Sequence, residues 1–211
     1  MTNKEVLQKK FKEGNYEYNA ELFKEIKKKL IDGKYTDNDK ILVNIMKKFP
    51  VNTEEILTEV YAKVLIINIT NSAGVRDKDY YEIAETIAKF KDLDRRLKEG
   101  DIKVVSELND AIFKKIKRNS ISFCSKYCFY HNNNDFSKFD NVVCDYVRKY
   151  VYLRRKQLGW KFNGGINREH YENYYNAIGE IIKEDEFPDR TTFDTFIWAL
   201  YREDGKKNEK Y

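Results

Sequence analysis

Residues 122–147, SFCSKYCFYHNNNDFSKFDNVVCDYV, crowd three cysteines, a histidine, lysines and isolated aspartates into one short run. Three chemistries could use them. Cys124, Cys128 and His131 fall at i, i+4 and i+7, hence on one face of a helix. Cys144 could complete a Cys3His set of the kind zinc accepts. A cysteine–histidine nucleophile would draw on the same residues, since His131 and His170 are the chain's two histidines. The third is a carboxylate at a helix N-terminus, with Asp140 preceding the apolar-periodic VVCDYVRKYVYL. Each has a plain competitor. Structural zinc usually takes ligands from tight knuckles, which this spacing lacks, and free cysteine is commonly buried for packing alone. No small-residue elbow exposes a cysteine for attack. Aspartate caps helices without doing any chemistry. The expectation is packed cysteines, no metal and no cofactor, with Asp140 either a cap or a catalytic group.

The elements that would position these residues read as helices. YNAELFKEIKKKLIDG keeps Leu22, Phe23, Ile26 and Leu30 on one stripe and stops at Gly33. DNDKILVNIMKKF ends before Pro50, and NTEEILTEVYAKVLIINIT opens with Asn52 and Glu55 at capping-box spacing. The second half of that helix is apolar all round, which predicts central burial. DKDYYEIAETIAKF, LDRRLKEG and DIKVVSELNDAIFKKIK follow, then one helix over 120–131 and another over 140–158. On the latter, Val143, Val147, Tyr150 and Val151 form an apolar stripe. GWKFNGGI reads as a loop, and NREHYENYYNAIGEIIKED and TTFDTFIWALYRED close the chain before a frayed GKKNEKY tail.

Composition agrees with this reading. Nine Gly and two Pro against 36% charged residues favour helix almost throughout, and 41% hydrophobic content is too high for a disordered chain. The expected fold is all-α and multi-helix globular. One helical domain spans 1–211, with possible sub-lobes of 1–50 plus 159–211 and of 52–158. The opening residues carry no apolar run fit for a signal peptide, and VLIINITNSAGV is too short to span a bilayer. Three cysteines, an odd number, do not suggest a disulfide framework. A cytoplasmic protein without a membrane partner is expected. GxxxxGK[ST], HExxH and GxSxG motifs are absent, which removes the usual support for three enzyme classes.

Charge is unevenly spread. The net +5 conceals twelve Lys and Arg against three Asp over 111–161, or +9 there and −4 elsewhere. Such an excess is the electrostatic footprint of a polyanion binder, its competitor being an ordinary solvated helix face.

The order of elements resembles the helix-hairpin-helix superfamily of DNA glycosylases over residues 52–158. VLIINITNSAGVRD (64–77) is similar to the family's early helix and the polar turn that presses on DNA. FSKFDNVV resembles the segment that places a catalytic aspartate at the start of a helix, which would make Asp140 that residue. The resemblance implies a hairpin turn at KRNSIS, with Lys117, Arg118, Asn119 and Ser120 contacting phosphate. The family's hairpin glycines are missing, because neither glycine nor proline occurs between Asp101 and Leu158. It further implies Lys126 as a Schiff-base amine and Tyr127, Tyr130 and Trp160 as rings that could sandwich a base. Ser122, His131 and Arg148 complete the expected contact set. Two functions follow as expectations. One is base excision with Asp140 stabilising the developing sugar cation. The other is nucleic-acid or nucleotide binding on the same scaffold without turnover, DNA being the favoured polymer, and a protein partner fits the sequence as well.

Overall fold

The computed structural model of the chain describes residues 34–48, 56–158, 166 and 170–198. The first expected helix, the Asn52–Glu55 capping pair, most of GWKFNGGI and the GKKNEKY tail lie outside them. Among the described residues all regular structure is helical. The helices are α1 (Lys34–Lys48), α2 (Ile56–Asn71), α3 (Tyr80–Ala88), α4 (Leu93–Lys98), α5 (Lys103–Ile116), α6 (Ile121–His131), α7 (Asn141–Leu158) and α8 (Tyr171–Glu184). A 3-10 turn, Asp77–Asp79, leads into α3, and 190–198 is helical. The chain divides into two compact units, Asn38–Phe139 and a second comprising Met1–Asp37 and Asp140–Tyr211. The division falls between Phe139 and Asp140, inside the 52–158 core that the sequence suggests.

In the Asn38–Phe139 unit, α2 packs on α3 and α6, α3 packs on α5, and α5 packs on α6, with short α4 against both α5 and α6. Apolar residues at helical spacing drive this: Val104, Val105, Leu108 and Ile112 on α5 are buried, as are Ile83, Ala84 and Ile87 on α3. Burying each such side chain contributes roughly 1.5–3 kcal/mol. The most enclosed element is α6, not α2. Residues Phe123 through Tyr130 are all buried, whereas α2 buries only Val60, Lys63, Val64 and Ile67 and leaves Ile69 74% exposed. The apolar wrap of α2 therefore overstates its burial. A helix gains from burial only where neighbours cover it, and here α3 and α6 cover one side.

Short loops fasten α6. Ser125 Oγ accepts the Phe139 amide at 2.8 Å and so holds the extended 136–139 segment, whose Phe136 and Phe139 are buried. In the other unit, α7 packs on α8. The stripe Val143, Val147, Tyr150 and Val151 is buried as its spacing predicts, facing a core with Tyr171, Tyr174 and Ile178. Phe187 and Phe193 meet edge to face at 5.2 Å.

Candidate functional site

Lys117, Arg118, Asn119 and Ser120 form the turn between α5 and α6, two helices that pack on each other. Two asparagines build the turn. Asn109 Oδ1 accepts the Ser120 amide at 2.8 Å, and Asn119 Oδ1 accepts that of Ile121 at 3.0 Å. Lys117 ends α5 in the left-handed conformation, φ 54°, with its amide donating to the Phe113 carbonyl at 2.9 Å. Glycine normally takes that position because a Cβ is crowded there. A lysine in its place explains how the turn forms without glycine, and it sets a charge at the tip. Lys114, Lys115, Lys117 and Arg118 are exposed, and none forms an ion pair among the described residues. The Arg118 guanidinium reaches the α2–α3 turn, 4.0 Å from where a side chain at Gly74 would begin. Ser120 is buried and Ser122 half-buried, so the accessible surface of this turn belongs to Lys117, Arg118 and Asn119.

Asp140 caps α7. Its Oδ1 accepts the Val142 amide at 2.8 Å and its carbonyl accepts that of Cys144 at 2.8 Å. Arg148 is exposed and pairs with Asp145 one turn earlier on α7. Lys126 turns inward. It is 5% exposed, and its ammonium donates to the Asn71 carbonyl at 3.1 Å. Asn71 closes α2, a helix without a basic residue in its last turn, so Lys126 supplies the cation that a helix C-terminus favours. Tyr127 and Tyr130 are fully buried, so neither ring can sandwich a base in this conformation. Tyr130 is held by Asp39 at 2.7 Å and Asn71 at 2.6 Å. Trp160 lies outside the described residues. Cys124, Cys128 and Cys144 are buried thiols outside any disulfide, and burial raises the Cys124 and Cys128 thiols well above their usual range. Among the described residues no three His, Cys, Asp or Glu side chains gather as a metal site would require.

The structure also assembles a group that sequence spacing does not reveal. Lys63 on α2 is 1% exposed, and its ammonium lies 3.2 Å from His131 Nε2 at the end of α6. His131 Nδ1 lies 2.8 Å from the Tyr127 carbonyl. A carbonyl only accepts, so Nδ1 carries the hydrogen and Nε2 is the acceptor for Lys63. Burial, then the Lys63 charge, push the His131 pKa down to about 3, against the Tyr127 carbonyl. Burial also lowers Lys63, countered by Asp94 and Glu59. The Tyr127 ring packs on His131 with centroids 4.4 Å apart. Glu59 Oε2 and the Tyr127 hydroxyl are buried without a hydrogen-bond partner among the described residues. Beside this group opens a cleft of about 330 Å³, lined by Asp94, Leu97 and Lys98 of α4, by His131, and by Asn132, Asn133 and Asn134. Asn132 Nδ2 donates to the Leu97 carbonyl at 3.0 Å and to Asp135 at 2.7 Å, tying the loop to α4.

A family described as the HI_0787_N N-terminal domain matches residues 8–135. The chain belongs to that family. An uncharacterized protein of Haemophilus influenzae (strain ATCC 51907 / DSM 11121 / KW20 / Rd) is 27% identical over 151 residues, covering 70% of this chain and 71% of that protein. No solved structure matches the chain significantly. The segment matched to the HI_0787_N family contains the basic hairpin, Lys63, His131 and the whole cleft lining, and it ends before Asp140. Lys63 could have drawn notice earlier as the charged position inside the apolar half of α2. Asp94 carries no such signal, because LDRRLKEG reads as an ordinary solvated turn of helix.

Proposed function

We propose that the protein binds nucleic acid through the α5–α6 hairpin, with Lys117 and Arg118 contacting phosphates. The observation that carries this is a lysine held in the left-handed conformation at the exposed tip. Strain of about 1–2 kcal/mol is kept there for a residue whose side chain makes no ion pair among the described residues. Ser72, Asp92 and Glu186 share that backbone region, so what sets Lys117 apart is its place in an exposed cluster of cations. Arg118 and the unpaired Lys114 and Lys115 extend the same positive face, whose contact with a polyanion gains free energy by releasing counterions.

The test is a salt titration of binding to duplex and single-stranded DNA and to RNA. Tight binding at low salt that weakens steeply as salt rises supports the reading, with a shallower slope in Lys117→Glu/Arg118→Glu. Absence of binding at low salt in the wild type overturns it, leaving the hairpin as a solvated corner.

Base excision is a second reading, favoured by one observation: Asp140 follows the hairpin helix and an extended segment and begins α7. Lys126 is unsuited to its suggested Schiff-base role, because its ammonium is buried against the end of α2. Under this reading Asp140→Asn keeps the cap and loses excision of uracil, oxidised guanine or alkylated bases. A wild type inert on all three leaves Asp140 as a cap.

A further inference from the structure

Among the described residues of the Asn38–Phe139 unit, the large apolar side chains left in water are Ile41, Ile69, Tyr81 and Phe113. Three of them sit in helix turns that border the α2–α3 and α5–α6 connections. Ile69 is in the last turn of α2, Tyr81 in the first of α3 and Phe113 in the last of α5. The two connections meet, because the Arg118 guanidinium reaches Gly74. Lys115 of α5 acts on Glu85 of α3 at longer range than an ion pair, one turn beyond Tyr81. The start of α3 and the end of α5 therefore share one end of the unit. A single exposed apolar residue is ordinary on a folded surface and by itself carries no message. Phe113 differs in its company. It is 47% exposed, its carbonyl accepts the Lys117 amide, and Lys114, Lys115, Lys117 and Arg118 beside it are all exposed. The buried side of α5 is already supplied by Val104, Val105, Leu108 and Ile112, and a lysine or glutamate at 113 would favour the helix more.

We infer that this end of the unit binds single-stranded nucleic acid, with an unpaired base stacking on Phe113 while Lys117 and Arg118 hold the adjoining phosphates. The inference rests on the nucleic-acid reading of the hairpin and names the form of the polymer. Cations alone do not choose between strands, because single strands and duplexes both present phosphates. A ring does choose. In a duplex the faces of the bases are taken up by neighbouring base pairs, so an exposed ring finds none to cover. In a single strand each base can lay one face on an aromatic side chain. Every base has such a face, so the contact tolerates any sequence. Tyr81, 54% exposed at the same end, offers a second ring to a base farther along the strand.

Fluorescence anisotropy on the full chain tests this with three labelled probes, each on the order of ten nucleotides long. They are an oligothymidylate, an abasic deoxyribose-phosphate oligomer of the same charge, and a duplex. The wild type is expected to bind oligothymidylate at least about fivefold more tightly than the abasic oligomer, the difference being the stacked bases. Phe113→Ala is expected to erase that difference and to leave the salt slope unchanged, since no phosphate contact is lost. Phe113→Leu, which keeps apolar bulk without a ring face, is expected to behave as Phe113→Ala, and Phe113→Trp to retain the preference. Duplex binding is expected to change by less than about twofold in all three. Equal wild-type affinity for oligothymidylate and the abasic oligomer overturns the stacking and leaves the phosphate reading of the hairpin standing. A preference that survives in Phe113→Ala and Phe113→Leu overturns the role given to Phe113. Equal losses on duplex and single strand also overturn it, because they place the ring's effect in the fold. Absence of binding to all three probes at low salt overturns both this inference and the nucleic-acid reading beneath it.

Discussion

The hairpin turn and the Lys63–His131 row sit at opposite ends of α6, a helix of 11 residues, and handle positive charge in contrary ways. At the N-terminal end, Lys117 and Arg118 stand in water, where charge costs little and is available to a partner. At the C-terminal end, the Lys63 ammonium is taken out of water and set against the last residue of the helix. Its desolvation is offset by the imidazole, by nearby carboxylates and by the negative end of the helix dipole. Charge near a helix end thus follows two regimes. Exposed, it stays hydrated and scarcely affects stability. Buried, it is bound into the packing, so altering it alters both.

The largest effect is expected at the buried end. Lys63→Ala leaves a cavity and an imidazole acceptor without its donor, and it should cost about 2–5 kcal/mol by chemical denaturation. Lys63→Met keeps the volume and removes the charge, so it should recover most of that loss. Equal losses in the two variants would mean that the charge, not the packing, stabilises this end. At the exposed end, Lys117→Glu/Arg118→Glu should weaken DNA binding by at least roughly tenfold at low salt and reduce the log–log salt slope by about 2. Its unfolding free energy should shift by less than about 0.5 kcal/mol.

A pH series sharpens the contrast. An unfolded histidine titrates near 6.5, the folded one at about 3, so between these values the unfolded chain binds the extra proton. The stability from neutral His131 is fully present above pH 6.5 and drains away as the pH falls toward 3. His131→Asn should flatten the urea midpoint across that window, whereas the hairpin double variant should leave it parallel to wild type. Two smaller effects complete the set. Lys117→Gly should gain up to about 1 kcal/mol by relieving the left-handed strain while still weakening binding. Asp140→Ala should cost about 1 kcal/mol of stability, and Asp140→Asn only a few tenths.

Much of this architecture was legible beforehand. The α7 stripe and the cap at Asp140 follow from spacing and local side-chain–backbone hydrogen bonds, which involve residues only a few positions apart, whereas the corner at Asn119–Ser120 was expected only from the family resemblance. The inward turn of Lys126 was not legible, because its acceptor, Asn71, lies 55 residues away. The same holds for Tyr130, tied to Asp39 across 91 residues, and for Lys63, tied to His131 across 68. Tyr127 and Tyr130 looked available to a ligand because aromatic side chains serve cores and binding sites alike, and only coverage by neighbouring helices separates the two.

The linear sequence was enough to show that the described residues are helical, which segments form those helices to within a turn, and that positive charge gathers after residue 111. Helical periodicity, helix caps and the scarcity of glycine and proline act over one or two turns, so a linear reading captures them. The tertiary structure alone decided which helix is enclosed, making it α6 rather than α2, and which lysines face water. It also brought Lys63 of α2, Asp94 of α4 and His131 of α6 together beside one cleft. Burial and hydrogen-bond partnership depend on what neighbouring helices cover, and that arises from contacts between residues far apart in the chain.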